Sequence, residues 1–300
     1  MDETDIALSL MLLQNSRIPY RALAEKLNLS VSAIHARIQA MVEAGVIRGF
    51  TALPSLRVTS SLLTYTYGQT RAENLNELTS KLSANDSIFW VAQAGGGYLY
   101  IGSYVRNLGG LSALSEFLAK TADMPDPKVG IIAEFSSNPI PPRQSLDSLD
   151  WRIIQELSND SRRPLAEIAE ALNASAKTVR RRLNTMVEKS LIDLSIRWYP
   201  DASDDIISVL HTRHASGKSL DLKNVYRMLS PHILFPVSFI NLPNENLFFI
   251  WTRNMKELKE LRQRVEADTT FSLVQMNILY TGEIFPTWRD TLPAMMGRQQ

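Results

Sequence analysis

The sequence predicts an α+β chain in which one unit occurs twice: a three-helix module followed by a βαββαβ module. Three observations predict it. Segments 2–47 and 147–192 align at an offset of 145 residues without a gap. Both carry helical hydrophobic periodicity, broken by turn-forming residues at matching places. Each is followed by roughly 90 residues in which β-prone runs and amphipathic helical runs alternate in one order. The repeat is tight: Asp2, Asp5, Leu12, Ser16, Arg17, Pro19, Ala24, Glu25, Leu27, Asn28, Ser30, Arg37, Met41, Val42, Glu43 and Ile47 each meet an identical residue.

The first helix of each copy opens at an acidic cap, Asp2 or Asp147, and carries Ile6, Leu10 and Leu13 or Trp151, Ile154 and Leu157 on one side. A polar break follows. Pro19 or Pro164 then stands where a helix can start without its N–H. The second helix ends near Asn28 or Asn173, residues that tolerate a left-handed turn. Ser30 and Ser175 cap the third helix, whose inward stripe is Ile34, Ile38, Met41 and Val42, or Val179, Leu183, Met186 and Val187. Short β-prone runs, VIRGFTAL and LIDLSIRW, come next as wings. This is a winged helix-turn-helix pattern.

Between residues 60 and 135 the reading is strand, helix, two strands about a glycine turn, helix, strand. Residues 206–280 repeat that order. It implies a ferredoxin-like antiparallel sheet with helices on one face, leaving an apolar face that needs a partner. The expected domains are 1–55 and 146–200 (winged helix-turn-helix) and 60–136 and 204–290 (ferredoxin-like), with a proline-rich linker over 137–145. The two sheet domains are expected to pack face to face within the chain. The C-terminal stretch PTWRDTLPAMMGRQQ is expected to pack on a sheet domain or on a second chain.

Composition narrows the function. No run of about 18 apolar residues is present, so no membrane partner is expected. The start MDETDIALSL is acidic where a secretory signal is basic, which points to the cytoplasm. The chain has no cysteine, which excludes disulfides, thiolate metal sites and thiol catalysis. His35, His211, His214 and His232 are too scattered for a metal site, and His211 and His214, three apart on a strand, face opposite sides. No nucleotide loop or nucleophile elbow occurs. No catalytic residue, metal or cofactor is therefore expected.

The net charge of +1 leaves room for a local basic patch. In the third helix of copy two, SAKTVRRRLNTMVEKSLI, buried Val179 and Leu183 turn Lys177, Thr178, Arg180, Arg181 and Asn184 outward or sideways. Arg182 has a counterpart in Arg37 and is assigned to structure. Arginine's forked donors suit guanine edges and phosphate, and lysine suits phosphate. A solvated charged face is the competing reading. Copy one offers Ser32, His35 and Gln39 for bases but little charge. Residues 2–50 hold five basic and five acidic side chains. Residues 147–197 hold nine and eight, with four of the nine within 177–182.

The stretches DETDIALSLMLLQNSRIPYRALAEKLNLSVSAIHARIQAMVEAGVIRGFTA and LDSLDWRIIQELSNDSRRPLAEIAEALNASAKTVRRRLNTMVEKSLI resemble the Lrp/AsnC (feast/famine) family of transcription regulators, here in tandem. The resemblance implies a sequence-specific regulator of double-stranded DNA, a small-molecule effector of unidentified class and further homo-oligomerisation. It places the effector near the turn between the middle strands. There copy one has Gly96, Tyr98 and Leu99, and copy two has Asn246, so Gly96, Tyr98 and Asn246 are the candidates. Two alternatives stay open. One is an enzyme like the sirohaem decarboxylases, a branch resembling this family that also pairs two units. It would need histidines and arginines converging on a porphyrin pocket, yet the first sheet domain has no histidine and no HYxR-like run occurs. The other is a ligand-sensing or assembly protein without strong DNA binding.

Overall fold

The structure, a computed structural model, describes residues 1–132, 145–215 and 221–298. Its helices and strands run α1 (Glu3–Gln14), α2 (Tyr20–Leu27), α3 (Val31–Glu43), β1 (Ile47–Pro54), α4 (Leu56–Thr59), β2 (Leu62–Gln69), α5 (Leu75–Ser83), β3 (Ile88–Ala94), β4 (Tyr98–Val105), α6 (Leu108–Thr121) and β5 (Lys128–Ile131). The second copy follows as α7 (Ser148–Leu157), α8 (Leu165–Ala171), α9 (Ala176–Glu188), β6 (Ile192–Trp198), β7 (Ile206–His214), α10 (Leu222–Leu229), β8 (Ile233–Ser238), β9 (Glu245–Thr252), α11 (Met255–Glu266), β10 (Phe271–Ile284) and α12 (Trp288–Met296). Of the expected linker, residues 137–144 lie outside the described residues, as do the last three residues of the strand run 128–135.

The described residues gather into two compact units, each drawing on both copies. One holds Met1 with residues between 62 and 132 and between 200 and 285; the other holds residues between 2 and 61, 145 and 199, and 286 and 298.

In the helical unit, the two copies begin alike. Asp2 accepts the N–H of Asp5, whose carboxylate accepts the N–H of Asp2 in return. Asp147 and Asp150 make the same reciprocal box. Each box satisfies donors that a helix start leaves unpaired, an effect worth about 1 kcal/mol. Asn28 and Asn173 take left-handed backbone, φ 52° in both, so the chain turns sharply into α3 and α9. The inward stripes pack as expected at Ile34, Ile38 and Met41 and at Val179, Leu183 and Met186. Val42 and Val187 do not: they are 38% and 39% exposed. One residue is a 100° rotation, so once methionine takes the inward place the next position falls at the stripe's edge.

The runs expected as wings form strands, but β1 and β6 pair with each other, antiparallel from Ile47–Trp198 to Pro54–Ile192. Each copy supplies a single strand, whose free N–H and C=O groups require a partner. The copy-two strand is the partner at hand. The junction is locked at its centre, where buried Ser16 and Ser161 hydroxyls lie 2.6 Å apart. Arg17 donates to the carbonyls of Ser161 and Arg163, and Arg162 donates to that of Ser16. The C-terminal stretch is a helix of this same unit. On α12, Leu292 and Met296 pack against the copy-two core, and Arg289, 2% exposed, donates to the Pro54 carbonyl and to Asp193. It thereby ties the ends of β1 and β6 together.

In the sheet unit, the two expected four-stranded sheets are one. Eight strands run β5-β2-β4-β3-β10-β7-β9-β8, and a bridge from Ile132 to Phe239 joins the edges, closing the sheet into a barrel. The faces do meet, as the inner wall of a single closed sheet. β10 makes this possible. It is 14 residues long, pairs with β7 over Phe271–Ile278, shifts register between Leu279 and Thr281, and continues against β3. Strand alternation sends Leu99, Ile101 and Val91 outward to α5 and α6, and Leu210, Phe248 and Ile250 to α10 and α11. Inward go Tyr65, Tyr67, Trp90, Tyr100, His211, Phe239 and Phe249, whose rings touch one another across the lumen. Two glycines let rings lie on the wall. A Cβ on Gly102 would come within 2.6 Å of the Phe89 ring, and one on Gly130 would fall onto Phe239.

Candidate nucleic-acid interface

Ser175 starts α9 by accepting the N–H of Thr178, and the buried triad Val179, Leu183 and Met186 fixes which side faces in. Lys177, Arg180, Arg181 and Asn184 are therefore all exposed. Thr178 is half-buried, with its hydroxyl 2.9 Å from that of Ser175, so it serves the cap. Arg182 turns the other way into ion pairs with Asp147 and Asp150, the two residues of the α7 capping box. Arg37 repeats this with Asp2 and Asp5 at 2.8 and 2.6 Å. Hydrogen bonds from its guanidinium to Asp5 and Asp2 hold Arg37 above the ordinary arginine value. One arginine of each third helix is thus bound into the scaffold.

On α3, Ser32, His35 and Gln39 are exposed. Ser32 lies 2.9 Å from the Ser30 hydroxyl, and Gln39 donates to Glu43. His35 is edge-on to Tyr20, whose hydroxyl accepts from Arg162 of the other copy. That guanidinium also lies over the rings of Tyr20 and Phe50. A residue of copy two therefore backs the copy-one recognition helix.

The preceding helix carries opposite charge in the two copies. α2 exposes Arg21 and Lys26 beside Glu25, while α8 exposes Glu167 and Glu170 and holds no base. Copy one places its cations on the first helix of the motif, the one that crosses the phosphate backbone in helix-turn-helix complexes. The 145-residue alignment carries this signal, at Arg21 opposite Ala166 and Lys26 opposite Ala171.

The effector candidates are divided between sheet faces. Gly96, exposed with φ 71°, forms the β3–β4 turn. Tyr98 follows it on the lumen side against Tyr100 and His211. Asn246 faces the helices, where it bonds Ser238 and lies 3.4 Å from His214. Its neighbour Glu245 is the residue that approaches Tyr98: it accepts from Tyr67 at 2.9 Å, Lys128 at 2.6 Å and Arg213 at 2.8 Å. Burial alone raises the Glu245 carboxyl, but these donors outweigh it and hold the group down at about 2. Burial pushes His211 down to about 4, so it is neutral, 2.5 Å from the Tyr100 hydroxyl. Among the described residues no cluster of histidine, cysteine, aspartate and glutamate could hold a metal. No described helix is long and apolar enough to cross a membrane.

Residues 1–48 match a family model for winged helix-turn-helix DNA-binding domains, and residues 146–187 match the AsnC-type helix-turn-helix domain. The HTH-type transcriptional regulator LrpA of Pyrococcus horikoshii is 35% identical over 83 residues, which cover 27% of this chain and 59% of that protein. An uncharacterized HTH-type transcriptional regulator of Pyrococcus abyssi is 28% identical over 140 residues, 45% of this chain and 93% of that protein. The match to LrpA thus spans a little over half of that protein's length. Over the whole chain the fold is similar to the crystal structure of the siroheme decarboxylase NirDL, with a TM-score of 0.65, 13% identity and coverage of 98% and 97%. That likeness is one of fold. Helix-turn-helix modules at both expected places, the second AsnC-type, together with Lrp-type relatives matched over part of the chain, make the chain similar to the Lrp/AsnC regulators, here with the unit occurring twice.

Proposed function

We propose that the protein is a cytoplasmic, sequence-specific DNA-binding transcription regulator, not an enzyme, whose two helix-turn-helix modules engage one duplex as a fused pair. The observation that carries this reading is the division of labour on α9. Lys177, Arg180, Arg181 and Asn184 are open to solvent, while Arg182 beside them is held by Asp147 and Asp150. A merely solvated face has no need to segregate its cations in this way, whereas a helix entering a major groove does. Effector binding and association of chains belong, on this reading, to the sheet unit, where Gly96 and Tyr98 stand at an open turn. Selection of bound duplexes from a random pool by the full chain tests the proposal. Enrichment of a defined sequence is expected, and a pool that stays random refutes it in favour of a sensing or assembly role.

A sirohaem-decarboxylase-like activity is the second reading, favoured by the likeness of fold over 98% of the chain. A further similar structure is a co-complex of that decarboxylase with an iron-uroporphyrin III analogue. Two features of this barrel weigh against it. Lys128 and Arg213, cations suited to a tetrapyrrole's carboxylates, are already engaged by Glu245. The rings of Phe89 and Phe239 occupy the lumen wall at Gly102 and Gly130. A saturable shift of the sirohaem absorbance band on adding protein would reverse the ranking.

A further inference from the structure

At the 145-residue offset the outward faces of the two recognition helices meet position by position: Val31 with Ala176, Ser32 with Lys177, His35 with Arg180, Ala36 with Arg181, and Gln39 with Asn184. All ten of these residues are exposed. The buried positions correspond in both, Ile34, Ile38 and Met41 with Val179, Leu183 and Met186, so the outward faces occupy equivalent places and differ in chemistry. α9 presents three cations and an amide. α3 presents no full charge at these positions, an amide at Gln39, and apolar groups at Val31 and Ala36, with Val31 48% exposed.

Base edges in the major groove discriminate between such faces. Guanine offers two acceptors, O6 and N7, matched to the forked donors of arginine. Adenine offers one acceptor and one donor, matched to a carboxamide, and thymine offers a C5-methyl that rewards an apolar neighbour. A valine in the first turn of a recognition helix leaves methyl surface in water until such a neighbour covers it. Gln39 is held only by an exposed hydrogen bond to Glu43 one turn on, an interaction weak enough to yield to a base.

We propose that the two modules read half-sites of different composition, α3 an A·T half-site through Val31, Ala36 and Gln39 and α9 a guanine-containing half-site through Arg180 and Arg181. The protein then lies on its duplex in one orientation only. The inference rests on the DNA-binding reading above and deepens it. It also accounts for the charge on α2: a recognition face without cations leaves phosphate contact to Arg21, which adjoins the Tyr20 ring that touches His35.

The test uses the full chain and the duplex that it enriches from a random pool. One half of the enriched sequence is expected to be A·T and the other to hold guanine. Replacing thymine by uracil in the first half deletes only the methyl and should weaken binding about fourfold per contacted methyl. Val31→Ser together with Ala36→Ser should abolish that sensitivity while still binding the duplex. Replacing guanine by 7-deazaguanine in the second half should weaken the parent protein and leave the Arg180→Ala, Arg181→Ala variant indifferent. Two alike half-sites, a random first half, or binding indifferent to uracil overturns the inference while leaving DNA binding intact. A pool without any enriched sequence overturns both.

Discussion

Removing Arg180 and Arg181 together separates a DNA-contacting helix face from a solvated one, because Arg182, one residue on, serves as an internal control. The groups lost are of one kind, two guanidinium groups from the outward face against one from the scaffold. Arg180 and Arg181 are exposed, whereas Arg182 is committed to Asp147 and Asp150. A cation on a phosphate contributes about 0.9 to the slope of log affinity against log salt, and a guanidinium on a guanine edge contributes less, so the double alanine variant should lose up to about 1.8 of that slope. Across a fourfold rise in salt each phosphate contact weakens binding about 3.5-fold, so the parent's advantage over the variant should shrink by up to about twelvefold from 50 to 200 mM. Arg182→Ala should leave the slope unchanged and lower the unfolding free energy by up to about 1 kcal/mol for a partly exposed pair. Fluorescence anisotropy on the enriched duplex across a salt series, with urea unfolding alongside, reads both quantities. Equal slopes for the parent and the double variant, or an Arg182→Ala slope that falls as far, would refute the assignment of α9.

Four more perturbations probe the rest of the structure. Arg21→Ala should lower the salt slope by about 0.9 without changing the selected sequence, since a phosphate contact carries no base information. Ser16→Ala or Ser161→Ala each strands a buried hydroxyl at about 1–3 kcal/mol, and the double variant should cost less than the sum in a urea-unfolding cycle; simple additivity would mean that the two hydroxyls do not meet. Gly130→Ala drives a methyl onto Phe239 at the β5–β8 closure and should destabilise the sheet unit by about 1–3 kcal/mol, which an unchanged unfolding midpoint would contradict. Stability should also decline on acidification through two groups. His211, held down to about 4, resists the proton that the unfolded chain takes up below the ordinary histidine value of 6.5. Glu245, held at about 2, loses its contribution as pH falls from 4.5 toward that value, and Glu245→Gln should flatten this lower part of the curve.

Much of the architecture was legible in the residues. The capping aspartates, the prolines at helix starts and the asparagines at the turns act through their own backbone neighbourhood, so their roles can be read without knowing the partner. The structural role of Arg37 and Arg182 was legible for a related reason, because an arginine kept while its neighbours change has a scaffold to serve, but its carboxylate partners on the first helix came only from the fold. Charge reversal between α2 and α8 is present in the same alignment, at Arg21 opposite Ala166 and Lys26 opposite Ala171. The effector candidates show the limit of local reading. The resemblance places Tyr98 and Asn246 together beside the turn between the middle strands, but strand alternation puts them on opposite faces, with Glu245 opposite the aromatic cluster instead.

By itself the sequence determined the duplication, the helix-turn-helix frames, the order of strands and helices, and the unequal charge of the two recognition helices. These follow from periodicity and from short-range backbone chemistry, which act within a few residues. Tertiary structure alone decided that β1 and β6 pair with each other, that eight strands close into one barrel through the long β10, and that α12 joins the helical unit. Those outcomes depend on which unpaired edge or apolar face comes within reach of another. A hydrogen-bonding edge carries no address in its residues, because every backbone offers the same donors and acceptors.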